Sequence, residues 1–500
     1  MNRSKWVWLF LLVGILIRFA AINQPILDYG VLRQTQTASV TRSLMDQPEW
    51  SISSIIPWQG DLPGRFVQEM PIYNYLSIGV NQWVGNLDIS SKVVSIFLWA
   101  VGFLILQMVW RQLGVSVEQQ GWANLLFVFS PMSIFLGQAV MPEMLVQAIA
   151  FSFVVLMLRY RASPTFGGWV LCVVAGMIGL LLKAPAIAHL YVILIAVLWS
   201  AEGKRMFYRP RYLLAGILTL VVLKLWGGYV DSINLVWIPD WSSAENLRGF
   251  IGTMHDRINP KSWILLAAYI SSLLLPGIAL LIAGWGFWRI GIKEKALGKP
   301  LNLWLLATVI FYLMWMGNGA NKQSYYNLPA LAPFCALFGM GAERLVRSWG
   351  GRRWMKVAMG LAIVGFCAPG TIYYFKQDRT IYAAARWVKA GTQPDDVIFY
   401  LPNHRWDMID YPYNPTLSYY AQRKAFVCVR NTPVNKRTAY LDRANYALVT
   451  LPKVGETSSK WQRLRSGRRM ETPDVAWILE AGFKEIYATP EFVVYKKQFE

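Results

Sequence analysis

Residues 92–110 read KVVSIFLWAVGFLILQMVW, and the one charged side chain among them, Lys92, stands at the start. A helix needs about 17–25 predominantly apolar residues to cross the hydrocarbon core of a bilayer, so this stretch is long enough. Comparable stretches recur along most of the chain and predict about eleven transmembrane helices. They lie near residues 6–22, 92–110, 121–137, 143–158, 167–183, 185–200, 211–229, 263–288, 301–317, 326–341 and 355–373.

The composition of the whole chain is typical of a membrane protein. Of its 500 residues, 55% are hydrophobic and 15% are charged, whereas soluble domains carry roughly 25% charged residues. The net charge of +21 would favour nucleic-acid binding in a soluble chain, but here the cations concentrate in alternate loops, so nucleic acid is not a predicted partner. The 4 cysteines lie far apart, and we predict neither a metal site nor a cofactor.

The basic loops predict how the chain crosses the membrane. Arg3 and Lys5 precede the first apolar stretch, and every second loop after it is basic, which places those loops in the cytoplasm by the positive-inside rule. The alternate loops then face outside, and an odd number of spans places the C-terminal residues there as well. We therefore expect a multi-pass protein of the plasma (inner) membrane with a cytoplasmic N-terminus. The first stretch also has features of a cleavable signal peptide, although the many later spans favour an uncleaved anchor.

Two segments are too long to be simple connectors. Residues 23–91 form a long first outer loop, which we expect to fold at the membrane surface with amphipathic helices. Residues 376–500 contain a helix-like stretch and several strand-like runs, at 380–390, 397–401, 425–429, 446–451 and 492–495. The predicted fold is an all-α polytopic membrane bundle over residues 1–375, followed by a small extracytoplasmic α/β domain over residues 376–500.

Carboxylates at the outer ends of the spans are candidates for catalysis, because membrane proteins avoid charges near the hydrocarbon. Asp28 follows the first span, and a carboxylate just above a bilayer is suited to accept a proton from a hydroxyl or an amine. Glu69 precedes Pro71, and Glu143 follows Pro142 at the head of a span. Each also has a structural interpretation, as an interfacial charge, a helix cap or a favourable charge at a helix N-terminus. Three such carboxylates are more than capping requires.

Polar side chains after Asp28 are suited to bind a phosphate or a sugar. The guanidinium of Arg33 has a planar fork of donors that fits a phosphate, whereas the amides of Gln34 and Gln36 offer the groups that sugars hydrogen-bond. The alternative is an anchor for lipid headgroups on an amphipathic helix lying on the membrane.

Lys183 ends a predicted span at the outer face, which goes against the positive-inside bias, so we expect a local anion such as a lipid phosphate beside it. The alternative is a lysine that snorkels to water. His189 is expected to be hydrogen-bonded within the bundle. Two interpretations apply to Lys322, Tyr325 and Tyr326. They form a belt at the membrane interface, or they bind a phosphate and a sugar ring.

Together these residues resemble the GT-C superfamily of glycosyltransferases that use polyprenyl-phosphate sugars. The similarity is closest to glycosyltransferase family 39, which includes protein O-mannosyltransferases, and to the aminoarabinose transferases. It lies in the order of short motifs: Asp28, Arg33-Gln34-Thr35-Gln36-Thr37-Ala38, Glu69-Met70-Pro71, Pro142-Glu143, Leu182-Lys183-Ala184-Pro185 and Tyr325-Tyr326-Asn327-Leu328-Pro329.

The resemblance implies an inverting transfer of a hexose or pentose, with Asp28 as the general base. The expected partners are a polyprenyl-phosphate sugar donor, a lipid, glycan or protein acceptor, and the lipid bilayer. A transporter or flippase is the alternative, since it would also have many spans, but it does not require a structured outer loop with several carboxylates or an outer domain. No Gly-x-Gly-x-x-Gly fingerprint follows a strand, which disfavours a nucleotide-sugar enzyme.

Overall fold

Helices form most of this protein, and strands occur in the loop after the first helix and near the C-terminus. The structure is a computed structural model that describes residues 3–498 except 63, 68, 238–242, 294–299, 317–322, 378, 403–412, 430–431 and 452–474. In chain order, the helices are α1 (Arg3–Phe19), α2 (Val31–Asp46), α3 (Ile72–Val84), α4 (Leu87–Gln112), α5 (Val117–Phe129), α6 (Pro131–Leu136), α7 (Glu143–Ala162), α8 (Phe166–Ile187), α9 (Leu190–Glu202), α10 (Pro210–Trp237), α11 (Ser243–Ile251), α12 (Met254–Ile258), α13 (Pro260–Tyr269), α14 (Ile278–Lys293), α15 (Pro300–Met314), α16 (Leu331–Ser348), α17 (Arg353–Phe375), α18 (Thr380–Gly391), α19 (Thr416–Ala421), α20 (Val434–Asp442) and α21 (Ala476–Glu480).

Shorter helical turns and the strands complete the secondary structure. Gly203–Tyr208 and Ser324–Ala330 form 3₁₀ helices, and Ile270–Leu274 forms a π-helical turn. The strands are β1 (Ser54–Ile55), β2 (Arg65–Phe66), β3 (Val397–Leu401), β4 (Lys424–Val427), β5 (Tyr446–Thr450), β6 (Phe483–Ala488) and β7 (Phe492–Lys497).

Contacts divide the chain into two units. The helical unit comprises Met1–Asn23 and Val67–Phe375, and the sheet unit comprises Gln24–Phe66 and Lys376–Glu500. The sequence assigned all of residues 23–91 to the membrane domain, whereas the contacts group residues 24–66 with the C-terminal residues. The hydrogen-bond partners of this segment lie far along the chain, so they leave no local pattern in the sequence.

Every apolar stretch that the sequence predicted coincides with a helix or a pair of helices. Within the described residues, 5 helices are long and apolar enough to cross a membrane, or 6 if a bent pair counts as one span. That pair, Pro260–Leu274 and Ile278–Trp288, meets at 104°. At the break, Pro276 has no N–H to donate and Gly277 has a φ of 53°. The number of about eleven spans stays a prediction.

A cluster of buried aromatic side chains packs between the first helices of the helical unit. Trp99 and Phe103 of α4 lie 5.6 Å apart between ring centroids, and Phe103 lies 6.2 Å from Phe127 of α5. The guanidinium of Arg18 on α1 sits 3.6 Å from the Trp99 ring centroid and donates to the carbonyl and the hydroxyl of Ser133 at 2.8 and 2.9 Å. A buried guanidinium is tolerated where its N–H groups find acceptors. Arg18 thereby fixes α1 to α6, which leads into the candidate site.

The sheet unit contains a mixed five-stranded sheet in the order β4-β3-β5-β7-β6. Strand β3 pairs in parallel with β4 and β5, whereas β7 is antiparallel to β5 and β6. Every residue of β3 and β5 is buried, as expected for parallel strands covered on both faces. The predicted strand-like runs coincide with β3, β4, β5 and β7, and the predicted helix-like stretch is α18.

Part of the first outer loop covers the edge of β4. The N–H of Gly60 donates to the carbonyl of Ala425, and the N–H of Ala425 donates to the carbonyl of Pro57, both at 2.9 Å. Gly60 has a φ of 61°, and a Cβ added there would lie 2.3 Å from the ring of Phe426. Glycine is therefore required for the loop to approach the strand this closely. The contact satisfies backbone groups that an open edge would leave unpaired.

Candidate active site

Glu143 is the first residue of α7, and buried hydrogen bonds hold the turn before it. A carboxylate at this position interacts favourably with the positive end of the helix. In the preceding turn, the carbonyl of Ala139 accepts a hydrogen bond from Ser95 Oγ at 2.6 Å. Ser95 Oγ also lies 2.9 Å from the hydroxyl of Tyr73, which donates to the carbonyl of Ser91 at 2.8 Å. Side chains of α3 and α4 thus fix the position from which Glu143 starts.

Lys183 lies where α8 is interrupted. Its backbone is extended (φ −163°, ψ 83°), and Pro185 two residues later cannot donate to the preceding turn. The Lys183 side chain is 7% exposed and pairs with Oε1 of Glu143, whose side chain is 3% exposed. The sequence predicted a local anion beside Lys183, and in the structure the Glu143 carboxylate is an anion in that position. Removal of either partner would leave a buried, uncompensated charge.

Two tyrosine rings lie beside the Lys183 ammonium. Tyr325 and Tyr326 lie in the 3₁₀ helix Ser324–Ala330, and their ring centroids are 4.6 Å apart. Nζ of Lys183 lies 5.0 Å from the Tyr325 centroid and 4.5 Å from the Tyr326 centroid, within the range of a cation–π contact. Tyr325 also donates its hydroxyl to Oε1 of Gln323. The structure thus brings together four of the residues that the sequence predicted: Glu143, Lys183, Tyr325 and Tyr326.

These four residues help to line a cavity in the helical unit. The empty space, which includes open solvent at its mouth, is about 480 Å³. Gln147, His189 and Trp304 also line it, together with apolar side chains that include Phe151 and Leu190. Mostly apolar walls with a few polar groups are typical of ligand sites.

Gln147 and Trp304 were not among the predicted site residues, and the hydrogen bond expected for His189 is not found among the described residues. Neither ring nitrogen of His189 has a hydrogen-bond partner among the described residues. Gln147 follows Glu143 by four positions, so helical spacing places both on one face of α7, and this signal was available in the sequence. Trp304 stands among apolar residues at the start of α15, where its sequence context is that of an interfacial tryptophan.

In the sheet unit, Asp28 and Gln34 are joined by a hydrogen bond. Nε2 of Gln34 donates to Oδ1 of Asp28 at 2.5 Å and to the carbonyl of Tyr29 at 3.2 Å. Asp28 is 6% exposed. The N-cap position of α2 is Gly30, with a φ of 75°, so Asp28 does not occupy the cap position. The amide of Gln34 orients the carboxylate that the sequence proposed as the base.

Helix α2 is buried by polar contacts within the sheet unit. All residues from Arg33 to Ser39 are buried, which differs from the predicted amphipathic helix on the membrane surface. Oγ1 of Thr35 lies 3.1 Å from Oγ1 of Thr416, and Nε2 of Gln36 donates to the carbonyl of Tyr413 at 3.2 Å. The C-terminal residues therefore hold the helix that follows Asp28.

Comparison with solved structures shows which fold this arrangement belongs to. ArnT from Cupriavidus metallidurans, an aminoarabinose transferase solved bound to undecaprenyl phosphate, has a TM-score of 0.64 and 13% identity, with 99% of this chain and 98% of that chain covered. The oligosaccharyltransferase of Archaeoglobus fulgidus, solved with Zn and sulfate, has a TM-score of 0.56 and 14% identity, over 89% of this chain and 68% of that one. The mycobacterial arabinofuranosyltransferase AftD has a TM-score of 0.50 and 12% identity, over 100% of this chain and 40% of that one. No family profile and no curated protein sequence matches the chain.

The chain has the GT-C fold. The predicted resemblance to the GT-C fold is thereby confirmed, and the long apolar helices are typical of a membrane protein. Assignment to glycosyltransferase family 39 stays a prediction.

Glu69 and Lys322 are the last two of the predicted site residues. Glu69 is partly buried and lies in the helical unit, two residues before Pro71, which caps α3. This position agrees with the interpretation of Glu69 as a favourable charge near a helix N-terminus. Lys322 lies outside the described residues.

Proposed function

We propose that the protein transfers a sugar from a polyprenyl-phosphate donor to an acceptor on the outer face of the plasma membrane, with inversion at the anomeric carbon. The observation that carries the proposal is the similarity along nearly the whole chain to ArnT bound to undecaprenyl phosphate. A membrane site for such a donor must hold the phosphate at the interface while the polyprenyl tail stays in lipid. The basic loops support a cytoplasmic N-terminus and an extracytoplasmic sheet unit.

The donor phosphate is assigned to Lys183, with help from Arg33. In the free protein, Glu143 pairs with the Lys183 ammonium and orients it, since a lone ammonium in this apolar setting would be strongly disfavoured. A phosphate that approaches Lys183 shares its N–H donors with Glu143. Negative charge grows on the phosphate as the sugar leaves, so a fixed cation there stabilises the transition state more than the ground state.

The acceptor proton is assigned to Asp28. An acceptor hydroxyl or amine attacks the anomeric carbon from the face opposite the phosphate, the bond between that carbon and the phosphate oxygen breaks, and polyprenyl phosphate leaves. The carboxylate of Asp28 takes the proton that the acceptor loses. Because Gln34 donates to Oδ1 of Asp28, the carboxylate is held in one orientation before the acceptor arrives. Glu69 is proposed as a further carboxylate of the same reaction, and Tyr325, Tyr326, Gln36 and Lys322 as donor contacts.

The test is release of polyprenyl phosphate by the purified, full-length protein. Undecaprenyl phosphates that carry different hexoses or pentoses are incubated with the protein and with extracts of membrane lipid, glycan or protein, and free undecaprenyl phosphate is measured by mass spectrometry. We expect release with at least one donor, and a dependence of the rate on the acceptor extract.

A folded protein that releases no undecaprenyl phosphate from any donor would contradict the proposal. Transbilayer movement of a fluorescent undecaprenyl-phosphate sugar in proteoliposomes, without such release, would instead support a flippase. Release of undecaprenyl phosphate at a rate that no acceptor extract increases would indicate hydrolysis of the donor, and it would also contradict sugar transfer.

A further inference from the structure

The wall of the cavity contains buried polar atoms that find no hydrogen-bond partner in the part of the chain that the structure describes. Among the described residues, Nε2 of Gln147, Nε1 of Trp304 and both ring nitrogens of His189 make no hydrogen bond. Gln147 is 6% exposed, and His189 and Trp304 are each 2% exposed. Buried polar groups in folded proteins are nearly always hydrogen-bonded, so a cluster of exceptions at one cavity calls for an explanation.

These atoms define what a ligand in the cavity must offer. The amide of Gln147 and the indole of Trp304 donate, and a neutral imidazole at His189 donates from one nitrogen and accepts at the other. Oε2 of Glu143, which also has no hydrogen bond among the described residues, is a further acceptor at the same wall. A hydroxyl group both donates and accepts, so a ligand with several hydroxyls satisfies the whole set.

The charges that line the cavity disfavour an anionic sugar. Its ionisable lining residues are Glu143, Lys183, His189 and the two tyrosines, and the carboxylate and the ammonium already form a pair. With the donor phosphate also beside Lys183, an anionic sugar would bring a further negative charge into a mostly apolar space without a counter-ion. The walls also include Phe151, whose ring lies 6.3 Å from that of Trp304, and Leu190. Such walls suit the C–H faces of an uncharged ring.

We propose that Gln147, His189 and Trp304 recognise the hydroxyl groups of an uncharged donor sugar and so determine which sugar is transferred. The inference rests on the proposed function, because it places the sugar beyond Lys183, the residue assigned to the phosphate. It adds a sugar class, neutral rather than acidic, and three specificity residues.

The experiment compares binding of undecaprenyl phosphate with and without a sugar to the full-length protein in one detergent. Isothermal titration gives both dissociation constants, and their ratio reports the contribution of the sugar alone. The variants are Gln147→Met, His189→Phe and Trp304→Phe, which replace each polar side chain with an apolar one. Ser152→Ala on α7 and Thr308→Val on α15 are matched controls, since each hydroxyl bonds only within its own helix in the structure, at 2.8 and 2.9 Å.

We expect the parent protein and both controls to bind a neutral-sugar donor more tightly than bare undecaprenyl phosphate. Each subsite variant should lose about 10- to 100-fold of that ratio while its affinity for bare undecaprenyl phosphate stays unchanged. The parent should also prefer a neutral sugar to a uronic acid by at least about tenfold. Thermal unfolding of each variant identifies any that fails to fold.

Two results would overturn the inference and leave the proposed function in place, and a third would overturn both. If the parent turns over the donor but the folded variants keep its sugar ratio, the cavity holds water or a lipid chain instead of the sugar. A parent that prefers a uronic-acid donor would refute the neutral class. If the parent itself binds no donor and releases no undecaprenyl phosphate, the proposed function fails and the subsite fails with it.

Discussion

Replacement of Lys183 by methionine tests how strongly the stability of the folded protein depends on the buried ion pair between Lys183 and Glu143. The Lys183 and Glu143 side chains are 7% and 3% exposed, so Lys183→Met leaves a carboxylate buried without its cation. Loss of one partner from a buried pair costs about 3–5 kcal/mol of unfolding free energy. Glu143→Gln should cost a similar amount, because it leaves the ammonium without its anion.

The double variant Glu143→Gln/Lys183→Met should recover most of that loss. It carries no buried charge at this position, and neutral replacements of buried pairs are often close to the parent in stability. Unfolding is followed by titration with a denaturing detergent in mixed micelles. A matched control is Lys356→Met, because Lys356 pairs with Glu118 at 2.6 Å while their side chains are 42% and 36% exposed; its cost should stay below about 1 kcal/mol.

Single-variant losses no larger than that of Lys356→Met would refute the reasoning about burial. The same double variant also separates stability from function. We expect it to be folded but unable to release undecaprenyl phosphate at the parent rate, because no cation remains at position 183. A stable double variant with parent activity would remove Lys183 from the phosphate site.

Three further predictions concern the sheet unit. Gly60→Ala should destabilise the protein more than Gly482→Ala, because both glycines have positive φ but only Gly60 also faces an aromatic ring at 2.3 Å from the added Cβ; differential scanning fluorimetry measures the difference, and equal shifts would contradict the steric argument. Arg443 donates to Asp61 and lowers the pKa of that carboxyl, so the pair contributes stability above the unfolded-state pKa and loses it as pH falls through the folded-state pKa. The difference in unfolding free energy between the parent and Asp61→Asn should be at most about 1 kcal/mol at neutral pH and should decline below about pH 4; a difference that grows on acidification would contradict it. Ile486→Cys, at a position 44% exposed in a protein whose 4 native cysteines are buried, should react with a membrane-impermeant maleimide on intact cells, and labelling only after permeabilisation would place the sheet unit in the cytoplasm.

The helices and most strands were predictable because they carry local signals. Apolar runs of sufficient length identified the helices of the helical unit, and short apolar runs identified β3, β4, β5 and β7. Strand β6 was not predicted, because only Phe483 of its residues is buried and the rest are exposed, so no apolar alternation marks it.

The placement of residues 24–66 in the sheet unit could not be predicted from local sequence. The contact between Thr35 and Thr416 joins residues that are 381 positions apart, and the backbone pairing of Gly60 with Ala425 is similarly distant. Tertiary hydrogen bonds of this kind bury α2 although its composition is polar. Neither hydrophobic periodicity nor turn signals report them.

The candidate site was predicted as a set of residue types rather than as contacts. Glu143 and Lys183 were recognised because charges at the outer ends of spans are rare, but their direct pairing depends on the interrupted backbone of α8. Gln147 was within reach of sequence reasoning through its spacing from Glu143. His189 and Trp304 were not, since only the three-dimensional structure shows that their polar atoms meet at one cavity.

The most direct test of the transferase mechanism is the rate at which an Asp28→Asn variant releases undecaprenyl phosphate from the donor that the parent uses. The substitution keeps the shape of the side chain and removes the proton acceptor, so the rate with acceptor present should fall by about 10²- to 10⁴-fold while donor binding and thermal stability are retained. Asp61→Asn, in the same unit but at an exposed ion pair, should keep the parent rate. Turnover of Asp28→Asn at the parent rate would contradict the account.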